Sequence, residues 1–245
     1  DTFLSDIYRR RDVDMVTFVG SVETGKKISR SISQYELDSR CASRPVRLTL
    51  EMGGNDGAYV CASADITQAV EQLASGVFYN AGQSCCSVER IYVHQDVYSD
   101  FLELFVNYSL PQYQPGDPSL EKTAMGPVAR LSHISYLTRL EHDATRKDAR
   151  VMGGLHYVGR KNHHPSSVYY PTIIGDMTSN MLVSQKEIFG PMVGVQKVHS
   201  QEEAVSLLNR SRMGLTASVF SQDSQVLNNM GPQLEVGTVY HNKCD

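Results

Sequence analysis

Residues 15–34, which read MVTFVGSVETGKKISRSISQ, decide the fold class of this chain. The apolar run at 15–19 is typical of a strand, Gly20 provides a tight turn, and the stretch at 23–34 has the pattern of a polar helix. The same order of strand, helix and strand returns toward the end of the chain. Because strands that alternate with helices form parallel sheets, the sequence predicts an α/β protein with a largely parallel sheet flanked by helices.

Hydrophobic periodicity predicts the remaining elements outward from this stretch. Asp65 and Ser200 each precede a helical pattern, and each is followed three positions later by the Gln or Glu of a capping box. Helices are predicted at 65–80, 98–106, 129–149, 200–208 and 224–230, and strands at 46–51, 57–61, 90–94, 191–198, 216–221, 235–241 and from 151 onward. The stretch at 159–171 is predicted to be an exposed loop or hairpin tip.

Composition restricts the class of protein. The 245 residues, 41% of them hydrophobic and 20% charged, are typical of a soluble globular protein with a substantial core. The net charge of −4 and the single basic run at 9–11 argue against nucleic acid as a partner. Every apolar stretch is shorter than the roughly 20 residues of a membrane helix, so we expect a cytoplasmic protein with no membrane partner. Because the first residue is Asp, the sequence is compatible with a targeting segment ahead of it.

The five cysteines indicate a reducing compartment. They have no C-x-x-C spacing, which argues against both a disulfide framework and a metal site. Cys85 and Cys86 are adjacent, and Cα atoms about 3.8 Å apart are closer than a disulfide usually allows. At least one of the two is therefore predicted to be a free thiol, whereas Cys61, in an apolar strand, is predicted to be buried.

Two glycine-containing motifs follow predicted strands. The motif GSVETG at 20–25 joins a strand to a helix, where backbone N–H groups can face a nucleotide phosphate; an ordinary turn explains the pattern equally well. The motif LEMGGN at 50–55 places the Glu51 carboxylate at the carboxyl end of a strand, where α/β sheets bind ligands. A solvated strand end is the alternative for Glu51.

Two further motifs carry a thiol and a carboxylate. In FYNAGQSCC at 78–86 a helix ends in glycine and is followed by Cys85, and cysteine is a strong nucleophile as its thiolate. The alternative is that both cysteines are small buried hydrophobes. In KEIFGP at 186–191 the Glu187 carboxylate could accept both hydroxyls of a ribose and the Phe189 ring could support a flat heterocycle. The alternative there is a capped turn with a core phenylalanine.

In this order the four motifs resemble those of the aldehyde dehydrogenase superfamily. The resemblance covers almost the whole chain and includes MGLTA at 213–217 and GTVYHN at 237–242. It implies an aldehyde dehydrogenase-like catalytic domain, with residues 1–50 as the trailing segment of the nucleotide-binding domain and 51–245 as the catalytic thiol domain. It also implies a chain truncated at both ends, and a homo-oligomer for the full-length protein.

The resemblance assigns a role to each motif. It implies that Cys85, which follows Gln83 at the family's spacing, is the nucleophile and that Glu51 is the general base. It further implies that NAD or NADP binds through Ser21 at its pyrophosphate, Glu187 at its ribose and Phe189 beside its nicotinamide. The turn glycines Gly20 and Gly25 belong to the same predicted cofactor-binding set, and no metal is expected.

The reaction implied is oxidation of a small-molecule aldehyde to a carboxylic acid. The Cys85 thiohemiacetal would give up a hydride to NAD(P), and water activated by Glu51 would hydrolyse the resulting thioester, in preference to transfer to coenzyme A. Two alternatives stay open: a catalytically incompetent thiol-bearing fragment or interaction module of the same fold, and a cysteine hydrolase, for which no histidine lies in a recognised pairing motif. Because the family's oxyanion-binding Asn lies upstream of these residues, we expect the chain alone to be inactive.

Overall fold

The computed structural model of the chain describes residues 13–37, 45–154 and 168–245. It forms two compact units, Asp1–Gly53 and Gly54–Asp245, which are described separately below. Their boundary lies three residues after the domain boundary expected from the sequence, because the strand that contains Glu51 continues to Met52 and pairs within the first unit. Glu51 therefore belongs to the first unit.

The first unit is a two-stranded parallel sheet with one helix packed on it. Strand β1 (Met15–Gly20) pairs with β2 (Arg47–Met52), and helix α1 (Val22–Leu37) lies between them in sequence. Alternate residues of the strands are partly buried against the buried hydrophobic residues of α1, Ile28 and Ile32. This alternation is typical of a sheet covered on one face. The strand, turn and helix predicted from residues 15–34 are thus confirmed.

The second unit is built around a mostly parallel sheet. Among the described residues its seven strands have the order β5-β6-β7-β4-β3-β8-β9, and β5 and β6 are the one antiparallel pair. The strands are β3 (Asp56–Val60), β4 (Val88–His94), β5 (Arg150–Gly153), β6 (Thr172–Gly175), β7 (Met192–Val198), β8 (Thr216–Phe220) and β9 (Thr238–His241). The prediction of a largely parallel α/β sheet is confirmed.

Helices cover both faces of this sheet. They are α2 (Ile66–Phe78), α3 (Tyr98–Gln112), α4 (Leu131–Thr145), α5 (Leu182–Gln185), α6 (Gln201–Leu208) and α7 (Ser224–Met230). Ala58 and Val60 of β3 share a core with α2 and α3, whereas Tyr59 between them belongs to the core with α4, α6 and α7. Both N-caps are confirmed, since Asp65 accepts from the Gln68 N–H and Ser200 from the Glu203 N–H, while the Glu203 carboxylate accepts from the His199 N–H.

The structure corrects several local predictions. Helix α4 is shorter than the predicted 129–149, because Asp148 takes a left-handed φ of 62° just before β5. Strand β6 and helix α5 were not predicted. Residues 159–167 of the predicted loop lie outside the described residues, but Tyr169 and Tyr170 are buried, and the Tyr169 hydroxyl donates to Glu141 at 2.5 Å. No helix in the described ranges is long and apolar enough to cross a membrane.

Candidate active site

The Cys85 thiol follows a left-handed turn at the end of α2. Asn80, Ala81 and Gly82 have φ values of 51°, 56° and 66°, a conformation that stops the helix at Phe78, two residues before its predicted end. The Gln83 side chain fastens the turn: its amide nitrogen donates to the Asn80 carbonyl at 3.0 Å and its oxygen accepts from the Ala129 N–H at 2.7 Å. The thiol is thus presented on a rigid turn, half-buried.

Gly82 brings this turn against the segment that carries Glu187 and Phe189. A Cβ atom at Gly82 would lie 2.2 Å from the Gly190 carbonyl oxygen, closer than any side chain permits. The positive φ of Gly82 also favours glycine. Gly82 is therefore needed for this contact, whereas a Cβ atom at Gly190 would lie 2.7 Å from the Leu137 side chain.

Gly54 joins Cys85 to Glu187. Its N–H donates to Glu187 Oε1 at 2.9 Å, and a Cβ atom at this position would lie 1.8 Å from the Cys85 carbonyl oxygen. Burial raises the pKa of Glu187, while the Gly54 N–H and His133 act against that increase. The structure thus brings together two of the predicted site residues, the nucleophile and the ribose-binding carboxylate, around one glycine.

Phe189 is not a core residue. Its side chain is 39% exposed and its φ is 49°, which is uncommon for a bulky residue. The alternative of a capped turn with a core phenylalanine is therefore wrong. An exposed aromatic ring beside a carboxylate is available to a planar ligand.

Glu89 is a site residue that the motifs did not indicate. It is 2% exposed on β4, and its carboxyl oxygen Oε1 accepts from the N–H groups of Ile188 and Phe189 at 2.7 and 2.8 Å. Its other oxygen accepts from the Asn55 amide at 2.9 Å. Burial raises the pKa of Glu89 to about 8 against these three donors. The sequence feature that could have indicated Glu89 is its position next to the apolar run of β4. Buried glutamates are rare, so a glutamate there suggests a specific role.

Helix α4 holds the opposite side of the same segment. The Tyr136 hydroxyl donates to the Glu187 carbonyl at 2.6 Å. His133 Nε2 lies 3.0 and 2.9 Å from the carbonyl oxygens of Ile188 and Phe189, and only a protonated nitrogen can bond to both. Side chains therefore bind the backbone of residues 187–189 on both sides.

The described cysteines Cys61, Cys85, Cys86 and Cys244 are free thiols, and Cys41 lies outside the described residues. Cys61 is partly exposed just beyond β3, so the prediction that it is buried is wrong. The sulfur of Cys86 lies 3.9 Å from that of Cys85. Burial, together with Asp245 and Cys85, raises the pKa of Cys86. Among the described residues, no group of three His, Cys, Asp or Glu side chains could hold a metal ion.

The other predicted residues lie in the first unit. Ser21 is exposed and caps α1, since its hydroxyl accepts from the Thr24 N–H at 3.3 Å. A Cβ atom at Gly25 would lie 2.3 Å from the Met52 sulfur, so glycine lets α1 approach β2. Gly20 accepts from the Gly53 N–H at 3.1 Å, and the exposed Glu51 lies on β2 beside this end of β1. The start of helix α1 and the Glu51 carboxylate thus lie at the same edge of the first unit.

Comparison with known proteins identifies the family of the chain. The model of the aldehyde dehydrogenase family matches residues 1–245, the whole chain. The chain belongs to the aldehyde dehydrogenase family. Human retinaldehyde dehydrogenase 3 is 33% identical to it over 230 residues, which are 94% of this chain and 42% of that protein.

Solved aldehyde dehydrogenase structures share its fold. An NAD-dependent aldehyde dehydrogenase from Sinorhizobium meliloti is 29% identical with a TM-score of 0.84, over 95% of this chain and 44% of that one. An NADP-dependent glyceraldehyde-3-phosphate dehydrogenase from Bacillus halodurans C-125, solved with NADP, is 31% identical with a TM-score of 0.82 over the same shares. This aldehyde dehydrogenase chain thus spans less than half the length of the relatives it matches.

Proposed function

We propose that this chain carries the nucleophile and the base of an NAD(P)-dependent oxidation of an aldehyde to a carboxylic acid. The observation that carries the proposal is the position of Gly54, which contacts the Cys85 carbonyl and binds the Glu187 carboxylate. One residue thereby ties the predicted nucleophile to the predicted ribose ligand, and both occur in a chain of the aldehyde dehydrogenase family.

In the proposed reaction the Cys85 thiolate adds to the aldehyde carbonyl carbon and forms a thiohemiacetal. Cys85 is favoured over its neighbour because burial and the Asp245 carboxylate raise the pKa of Cys86 and so disfavour its thiolate. The position of Cys85 after the rigid turn at 79–82 favours attack from one direction.

The residues present fit a nicotinamide dinucleotide. The Glu187 carboxylate is suited to the ribose hydroxyls, the exposed Phe189 ring to the planar nicotinamide, and the start of α1 at Ser21 to the pyrophosphate. When bound, the dinucleotide accepts the hydride released from the thiohemiacetal. We propose NAD or NADP, because relatives of both kinds occur.

Glu51 is the proposed base for the last step. Its carboxylate takes a proton from water as the water oxygen bonds to the thioester carbon. The carbon–sulfur bond then breaks, the carboxylic acid leaves, and Cys85 is again a thiolate. The exposed position of Glu51 at the end of β2 makes it accessible to water.

A catalytically incompetent fragment or interaction module is the second candidate. The observation that favours it is that the chain spans 42% of the length of human retinaldehyde dehydrogenase 3. The resemblance also places one oxyanion donor outside these residues, and loss of such a donor typically costs about 10²- to 10³-fold in rate. Aldehyde-dependent reduction of NAD and NADP by the 245-residue chain separates the two candidates, because an incompetent fragment would reduce neither.

The domain, localisation and partner assignments are also proposals. We propose that the first unit belongs to a nucleotide-binding domain and that Gly54–Asp245 is the catalytic thiol domain. We also propose a cytoplasmic homo-oligomer that acts on a small-molecule aldehyde, without a nucleic acid or membrane partner.

The substitution Cys85→Ser tests the proposal most directly, with Cys86→Ser as the matched control. In the natural chain, Cys85→Ser should abolish aldehyde-dependent NAD(P)H formation, whereas Cys86→Ser should retain most of it. Turnover by Cys85→Ser at the rate of the unmodified protein would overturn the assignment.

A further inference from the structure

The segment 187–189 has no regular secondary structure to hold it. It lies between α5 and β7, and Phe189 has a left-handed φ of 49°. A phenylalanine keeps that conformation only where its surroundings determine it. Something outside the segment must therefore fix its backbone.

Glu89 supplies the hydrogen-bond acceptor of this restraint. Its Oε1 accepts from two successive N–H groups, those of Ile188 and Phe189, at 2.7 and 2.8 Å. Glu89 is separated from them by about one hundred positions in sequence and is 2% exposed, so water does not replace these bonds. The carboxyl group binds the residue whose φ is unfavourable and the residue before it.

The same group is tied to the thiol side of the site. Asn55 donates to Glu89 Oε2 at 2.9 Å and to the Lys186 carbonyl at 3.2 Å. Asn55 follows Gly54, whose N–H binds the Glu187 carboxylate and whose Cα lies against the Cys85 carbonyl. Glu89 thus connects the backbone of the 187–189 segment to Gly54 and Asn55, which precede β3, and Gly54 lies against the Cys85 carbonyl.

We propose that Glu89 is a positioning residue that binds the backbone N–H groups of Ile188 and Phe189 and thereby aims the Glu187 carboxylate and the Phe189 ring at the cofactor. This role rests on the proposed function, because it assigns those two side chains to cofactor binding. Glu89 itself touches neither cofactor nor substrate; it acts through the segment that it holds.

The chemistry of the three hydrogen bonds predicts which substitutions are tolerated. An amide oxygen can accept two N–H groups, so Glu89→Gln retains both backbone bonds. Its NH₂ group would face Asn55, whose side chain would rotate by half a turn to present its Oδ1, an atom without a hydrogen-bond partner among the described residues, at the cost of its bond to the Lys186 carbonyl. Glu89→Leu, of similar volume, loses all three acceptor contacts.

The matched control is a second buried glutamate in the same unit. Glu141 is 1% exposed on α4 and accepts from the hydroxyl of Tyr169, which lies outside residues 187–189. Glu141→Leu therefore removes a buried carboxyl group without removing an acceptor from that segment.

Two measurements on the protein test the proposal. Hydrogen exchange of the peptide that spans 186–191 reports the two N–H groups directly, and equilibrium titration with NADH and with NADPH reports cofactor affinity. We expect Glu89→Leu to accelerate that exchange and to weaken NAD(P)H binding by about tenfold or more, and Glu89→Gln to stay within about threefold of the unmodified protein. Glu141→Leu should leave both close to the unmodified values.

Each other outcome contradicts a specific part of the proposal. Unchanged exchange in Glu89→Leu would refute the restraint, and faster exchange with unchanged affinity would refute the positioning role. A protein that binds neither NADH nor NADPH would overturn the proposed function and with it the role toward cofactor, while the exchange data would still report whether Glu89 holds the segment. If Glu89→Leu does not fold, Glu89→Asp tests the same claim, because its carboxylate is retracted by about 1.5 Å and cannot reach both N–H groups.

Discussion

Replacement of Gly54 by alanine should displace Cys85, the proposed nucleophile. The added Cβ atom would lie 1.8 Å from the Cys85 carbonyl oxygen, whereas ordinary van der Waals contact begins at 3.4 Å, so one of the two backbones must move by about 1.6 Å. Both partners are backbone atoms in a packed interior, and neither can turn aside as a side chain can. The change is therefore transmitted to the position of the thiol.

The expected loss follows from that displacement. A misplacement of about 1 Å at a reacting group can cost about 10²-fold in rate, so kcat/KM for aldehyde oxidation by Gly54→Ala should fall by about 10²-fold or more. This corresponds to about 2.7 kcal/mol of lost transition-state stabilisation. Overpacking should also lower the free energy of unfolding by about 1–3 kcal/mol.

Gly231→Ala is the control for this substitution. The nearest atom that its Cβ would meet is Leu227 Cδ1 at 4.0 Å, and the φ of Gly231 is −50°, which any residue adopts. It should change the free energy of unfolding by no more than about 0.5 kcal/mol and leave activity unaltered. NAD(P)H formation with an aldehyde, thermal unfolding and the rate of Cys85 alkylation by iodoacetamide would be measured for both variants. Gly54→Ala with the kinetics and alkylation rate of the unmodified protein would refute the reasoning.

Three further predictions concern single groups. Glu51→Gln should preserve a burst of NAD(P)H but slow the steady state, since only thioester hydrolysis needs the base; equal loss of both phases would contradict that role. Brief iodoacetamide treatment near neutral pH followed by peptide mapping should label Cys85 before Cys86, whose pKa burial raises, and the reverse order would exclude Cys85 as the more reactive thiol. Burial raises the pKa of Asp56 from 3.8 to about 6 even though Thr216 donates to it at 2.6 Å. The contribution of Asp56 to stability therefore falls as pH rises through that interval, and Asp56→Asn, which cannot ionise, should gain up to about 3 kcal/mol relative to the unmodified protein in denaturant titrations from about pH 4 to pH 7. A constant difference across that range would disprove the pKa increase.

Local patterns in the sequence were sufficient to predict much of the fold. The strand, turn and helix at 15–34 and the caps at Asp65 and Ser200 depend on residues within a few positions of each other, so their side-chain chemistry can be read along the chain. The order of strands and helices likewise indicated a parallel sheet, because few other arrangements let such elements bury their apolar faces. The same motifs identified the family through residues close in sequence.

Contacts between distant positions were decided only by the tertiary structure. The bonds of Gly54 to Glu187 and of Glu89 to Phe189 each join residues at least one hundred positions apart, and no periodicity specifies such pairs. The burial of Tyr169, in a stretch predicted to be exposed, depends in the same way on Glu141 of a separate helix. The sequence therefore indicated which residue types are the candidates for the chemistry. Packing between elements determined which backbone groups orient those side chains, because a buried N–H group bonds to the acceptor that the folded chain brings within reach.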